Sequence, residues 1–266
     1  QSLDMAANPR NRVFVLFIDQ KFVQVASSWN IRQPLVRMID EMLGPDDLIG
    51  VMTSTMAASD VTLARKTSVL ADGLMRYWPW GERGTSQRDE REEQYWECWP
   101  EPYMQGVVGE MIARRRERMT LGSFRELVLY LQNVREERKA ILVVSQGWLL
   151  FRENQNLTKL VGNELPPSGV DPISVGPDGR ITNRDTRNSN RGTTLNSCWE
   201  DRRRLSMIDD DQYFRDIVGE ANRANASFYT VDPRGLVVFD TPINAGVPIA
   251  ADFAMRPSSS NRPSIG

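Results

Sequence analysis

Asp19 closes a short apolar run (RVFVLFID, residues 12–19) and is the residue best placed for chemistry that needs a fixed carboxylate. Its surroundings narrow that chemistry quickly. The 266 residues include no histidine, which removes Ser-His-Asp and Cys-His catalysis, His-ligated zinc and imidazole proton shuttling together. Cys98 and Cys198 are the only cysteines and form no C-x-x-C, so a zinc knuckle and a thioredoxin-like motif are both excluded. Two cysteines fit either one disulfide or two free thiols. No Gly-x-Gly-x-x-Gly or Walker loop follows the first apolar run, so those routes to nucleotide binding have no support. Asp and Glu are plentiful, but no paired-carboxylate constellation of a hydrolase stands out. Asp209, Asp210 and Asp211 are consecutive; three such side chains cannot converge on one ion from a helix start, and helix capping is the better reading. No cofactor is expected.

The elements that must position Asp19 follow from hydropathy. Residues 12–19 read as a buried strand of a parallel sheet. Ile31, Leu35, Ile39, Met42 and Leu43 recur at helical spacing, with Pro34 expected in the first turn and Gly44-Pro45 as the stop. Residues 48–53 form a second strand, and residues 61–64 a short edge strand. Helix returns over residues 107–119 and again on the face of Leu121, Phe124, Leu127, Val128 and Leu131. Residues 139–145 are a strand, Phe214, Ile217, Val218 and Ala221 mark a helix, and residues 226–231 are the last strand. Strand–helix alternation at these lengths predicts α/β: a doubly wound, Rossmann-like, mostly parallel sheet flanked by helices. Ligands in such folds sit at the carboxyl ends of the strands, which places Asp19, the Thr53 region, Ser145-Gln146-Gly147 and Asp232 on one edge.

Two long stretches, about 76–105 and 151–206, read as irregular insertions. The first holds Trp78, Trp80, Trp96 and Trp99 with Tyr77, Tyr95 and Tyr103. Such rings suit a protein partner or carbohydrate stacking. They also suit a small core that orders a long insertion, and this packing reading is the stronger one. Within the second, residues 173–175 and 180–182 flank Gly176-Pro177-Asp178-Gly179 as a hairpin. Each cysteine lies in one insertion and is followed by Trp, so a Cys98–Cys198 disulfide anchoring both is expected. Such a loop contributes about 4 to 5 kcal/mol on the chain-entropy account, which is model-dependent. The run Arg114-Arg115-Arg116-Glu117-Arg118 reads as a solvated helix face with Glu110 and Glu117 as partners. A single domain is expected over residues 1–256, followed by a flexible Ser/Pro tail at 257–266.

Segments 12–19, 35–52, 139–148 and 221–236, with Glu97-Cys98-Trp99-Pro100, the GPDGR turn and Cys198 followed by Asp201-Arg202, resemble the von Willebrand factor A-related domain family of Acidobacteria. The resemblance covers most of residues 12–253. It implies an exported protein at the cell surface, in the periplasm or secreted, acting in adhesion or assembly with protein partners of the envelope or exterior. The family continues past the equivalent of Ala254 into a further helix and strand, where this sequence runs into Pro257-Ser258-Ser259-Ser260. The superfamily holds Mg²⁺ with Asp-x-Ser-x-Ser, a Thr and a second Asp. Here Asp19 remains, Lys21 and Val23 stand where the serines belong, Gln146 replaces the second aspartate, and Thr120 matches the Thr. The resemblance therefore implies a degenerate site without metal, with Lys21 free to pair with Asp19. The leading reading is a non-enzymatic protein-binding module, with a carbohydrate- or matrix-binding module on the Trp-rich insertion as the alternative. A net charge of 33 − 35 = −2 gives no basic footprint for nucleic acid, and no apolar run approaches the roughly 20 residues that span a bilayer.

Overall fold

The computed structural model describes residues 6, 11–65, 68–77, 80–81, 88–164, 173–175, 181–183 and 195–235, all within the compact unit Gln1–Gly235. Trp78, the GPDG turn and the stretch 236–266, including the expected tail, lie outside them. The elements in chain order are β1 Val13–Ile18, α1 Val25–Met42, β2 Leu48–Thr53, β3 Ala64–Arg65, α2 Ser68–Asp72, α3 Glu90–Cys98, α4 Gln105–Val134, β4 Lys139–Val144, β5 Ile173–Val175, β6 Ile181–Asn183, α5 Leu195–Ser206, α6 Asp210–Arg223 and β7 Ala226–Val231.

Five strands form one sheet in the order β3-β2-β1-β4-β7. β2, β1, β4 and β7 run parallel, and β3 is antiparallel on β2 at one edge. The fold is therefore α/β with a mostly parallel mixed sheet. Strand side chains alternate between faces, and the core divides accordingly. Val13, Val15 and Phe17 pack with Leu121, Phe124, Leu127, Val128 and Leu131 of α4 and Ile217 and Ala221 of α6. Leu16 and Ile18 pack instead with Leu35 and Ile39 of α1 and with Trp80. At about 1.5–3 kcal/mol for each large apolar side chain buried, these two clusters dominate the stabilisation of the sheet.

Several expectations change. α1 begins at Val25, so Pro34 lies inside the helix and not in its first turn. Its opening turns hold two buried serines, Ser27 taking the Gln146 amide of a strand-end loop and Ser28 bonding the Val25 carbonyl, a buried face that an apolar periodicity does not register. The edge strand falls at Ala64–Arg65, just beyond the Val61 and Leu63 side chains that fill the core. Two separate apolar faces over 107–131 belong to one helix, α4, of 30 residues.

The stretches 76–105 and 151–206 are not irregular throughout. α3 opens with a reciprocal capping box, Asp89 accepting from the Glu92 N–H and Glu92 from the Asp89 N–H, an Asp-x-x-Glu signal present in the sequence. α5 occupies the end of the second stretch, and β5 pairs antiparallel with β6 as a hairpin would. A third cluster joins α3 and α5 to the first half of α4 through Tyr95, Trp99, Val108, Met111, Ile112, Trp199 and Leu205. Cys98 and Cys198 are disulfide-bonded within it.

The arginine run is not a solvated face. Arg114 and Glu117 are 2% and 0% exposed. Arg115 binds Asp89 at 2.5 Å and Arg116 binds Glu92 at 2.6 Å, so α3 packs on α4 through ion pairs that a single-helix view cannot anticipate.

Candidate functional site

Register alone gathers the strand ends. Ile18 lies beside Thr53 of β2 and Val144 of β4, and Val144 lies beside Val231 of β7. The next residues, Asp19, Ser54, Ser145 and Asp232, are therefore neighbours. Backbone bonds extend the pairing by one step: Asp19 N–H to Val144 O at 3.0 Å, Ser54 N–H to Ile18 O at 3.1 Å and Ser145 N–H to Val231 O at 3.1 Å.

Asp19 is fully buried at the centre of this edge. Its Oδ1 accepts from the Phe22 N–H at 3.2 Å and the Thr120 hydroxyl at 3.3 Å. Its Oδ2 accepts from the Ser145 hydroxyl at 2.8 Å and the Trp148 indole N–H at 2.7 Å. Four donors use up the acceptor capacity of a carboxylate. Burial still outweighs them and pushes the Asp19 carboxyl up to about 6.

Donors thus stand where a cation would need open oxygens, so this residue set does not fit a bound Mg²⁺. Lys21 is not among the partners of Asp19; its charge acts on Asp89 instead. The expected Lys21–Asp19 pair is corrected on this point: the carboxylate is already satisfied by neutral donors. Val23 is core, packed with Leu16 and Leu35. Gln146 donates its side-chain amide to Ser27 Oγ at 2.8 Å, and its backbone carbonyl accepts from Arg234 at 3.1 Å. Arg234 in turn grips Asp232 at 2.6 Å. Asp19, Thr120 and Gln146 therefore come together on this edge, while Val23 turns into the core.

Comparison of the chain with protein-family models, with curated proteins and with solved structures gave no match.

The loop after β4 covers the site. The Trp148 ring packs against Phe124 at 6.0 Å and Phe214 at 5.6 Å between centroids. Leu149 and Phe151 donate their N–H groups to the two oxygens of Glu117 at 2.5 and 2.9 Å. Between them Leu150 adopts φ 50°, a conformation that a leucine reaches only where its neighbours impose it. The result is a held turn with Leu149 71% exposed at its crest. The sequence reading missed Trp148 and Glu117 as site residues. A signal existed for Glu117, which shares the stripe of Leu121 and Phe124 on α4 at helical spacing and so faces the core.

Trp80, Trp96 and Trp99 are placed differently from a binding patch. Trp80 and Trp99 are 0% and 2% exposed, and a ring without exposed area offers nothing to a partner. Trp99 meets Trp199 edge to face at 5.7 Å, with the Arg202 guanidinium over both rings. Trp96 is half-buried beneath Arg88. Trp96 and Trp99 build the small core that anchors α3 and α5, while Trp80 fills the core beneath α1.

Proposed function

We propose that the chain is a non-enzymatic binding module of the von Willebrand factor A type, with a doubly wound sheet and a degenerate metal site, acting through its strand-end face. The observation that carries this reading is the Leu149 turn. Buried groups hold it at Asp19 and Glu117 and impose a left-handed Leu150, yet it presents a bare leucine to solvent. Order that costs backbone strain and then exposes an apolar side chain is what a preformed contact surface requires. The partner is a protein with an apolar socket, ringed by groups that meet Gln20, which follows Asp19 and bonds Ser54 and Thr55, together with Gln146 and the Asp232–Arg234 pair. The Cys98–Cys198 disulfide supports an oxidising compartment, hence an exported protein. Among the described residues no helix is long and apolar enough to cross a membrane.

A photo-crosslinking amino acid at position 149, with a second at exposed Leu160 in the other stretch as control, tests the reading in the native envelope. Crosslinks to one protein at 149 alone, lost in a Leu149→Glu variant bearing the probe at Gln20, would agree with it. Equal crosslinking at 149 and 160, or capture that survives Leu149→Glu, would defeat it.

A further inference from the structure

We propose that the strand-end face is proton-linked: Asp210, buried beside Glu117 between α6 and α4, holds the 147–151 loop closed when protonated and loosens it when ionised. The inference takes the face from the reading above and adds its regulation.

Both residues are 0% exposed. Glu117 fixes the loop through the N–H groups of Leu149 and Phe151. Asp210 fixes the same loop from the other side, its own N–H donating to the Phe151 carbonyl at 2.6 Å. The two residues thus flank Phe151, Glu117 at its N–H and Asp210 at its carbonyl, and the Glu117 carboxyl acts on that of Asp210. Neither oxygen of Asp210 receives a hydrogen bond from the described residues. Arg118 Nη1 stands 3.2 Å from Oδ1 without hydrogen-bond alignment, and its guanidinium lies 4.0 Å over the Tyr213 ring.

The other charges nearby are committed elsewhere. Arg114 binds Glu110 at 2.8 Å and reaches the carbonyls of Leu205 and Ile208 at the end of α5. Asp209 caps Gln212, and Asp211 pairs with Arg152 of the loop and Arg215 of α6.

An ionised carboxylate buried without a donor is expensive, and a second carboxylate beside it makes it more so. A proton on Asp210 cures both, because the carboxyl O–H then donates to Glu117 while Glu117 keeps its two backbone donors. Burial, reinforced by Glu117 and opposed by Arg118 and Arg114, pushes Asp210 up to about 6. Loss of that proton leaves adjacent anions, and water must enter to solvate them. The contacts it displaces are those of Glu117 with Leu149 and Phe151, a turn already strained at Leu150. Asp19 answers in the opposite sense at Trp148, being the better acceptor when ionised, so the diagnostic groups are the two amides on Glu117.

Hydrogen exchange of the Leu149 and Phe151 amides in ¹⁵N-labelled protein, corrected for the intrinsic pH dependence of exchange, reads this directly. Protection is expected to fall at least about tenfold between about pH 5 and about pH 7.5, as a one-unit proton linkage produces. Asp210→Asn, which keeps a donor toward Glu117, is expected to stay protected throughout. Wild-type protection that does not change, or the same fall in Asp210→Asn, overturns the proposal. Should that variant fail to fold, the ¹³C carboxyl titration of Asp210 in the wild type decides: a midpoint near 6 supports it and one below about 4 overturns it. No partner enters either measurement, so this inference and the crosslinking reading can fail separately.

Discussion

Lowering the pH from about 7.5 to about 5 should make this protein more stable, the reverse of ordinary acid behaviour. Asp19 and Asp210 are both fully buried, and burial raises each carboxyl from 3.8 to about 6. Between those two values the native state binds more protons than the unfolded chain, so stability rises as pH falls through 6 and is complete only below 3.8. Integrated to about pH 5, each group contributes about 1.4 kcal/mol, and the pair contributes about 2 to 3 kcal/mol. The countervailing carboxyls, Asp47, Asp89, Asp201, Asp211, Glu220 and Asp232, are held below the usual carboxylate range by their donors, so their stabilisation is lost only at lower pH. Urea denaturation at fixed ionic strength, at both pH values, measures the difference. Asp210→Asn should remove about half of the gain. A midpoint that is unchanged or lower at about pH 5 would refute the claim that desolvation outweighs the four donors on Asp19.

Arg202 is buried, binding the Leu157 and Lys159 carbonyls and Glu164. Arg202→Met strands Glu164 and should cost about 3 to 5 kcal/mol in chemical denaturation; a cost below about 1 kcal/mol would show that the network carries no net stability. Replacing Cys98 and Cys198 by Ala, or reducing the bond in the wild type, should cost about 2 to 5 kcal/mol, and equal denaturation midpoints with and without reductant would contradict this. Trp99→Ala should cost about 3 to 5 kcal/mol, whereas Trp29→Ala, with its ring 56% exposed, should cost under about 1 kcal/mol; similar losses for the two would mean burial does not set their contribution.

The sequence by itself determined the parallel sheet and the edge at which its strands end. Continuous Val, Ile, Leu and Phe runs leave no polar face for water, so residues 13–18, 48–53 and 139–144 had to be buried strands, and Asp19, Ser145 and Asp232 had to follow them at their carboxyl ends. The antiparallel pairing of residues 173–175 with 181–183 and the cap at Asp209 were equally local and equally legible. What lay beyond a single sequence was the partner of each charge. Arg115 meets Asp89 across 26 positions, and Trp148 meets Asp19 across 129. Nothing in a helical wheel says that an arginine face will be covered by another helix, or that an indole will take the place where a lysine was expected. Those pairings depend on which elements the core draws together, because a buried charge accepts whichever donor the packing delivers. Tertiary structure alone thus decided that a leucine and two buried carboxyls shape the exposed edge, whereas the inward packing of Trp80 and Trp99 was already the stronger reading of their sequence context.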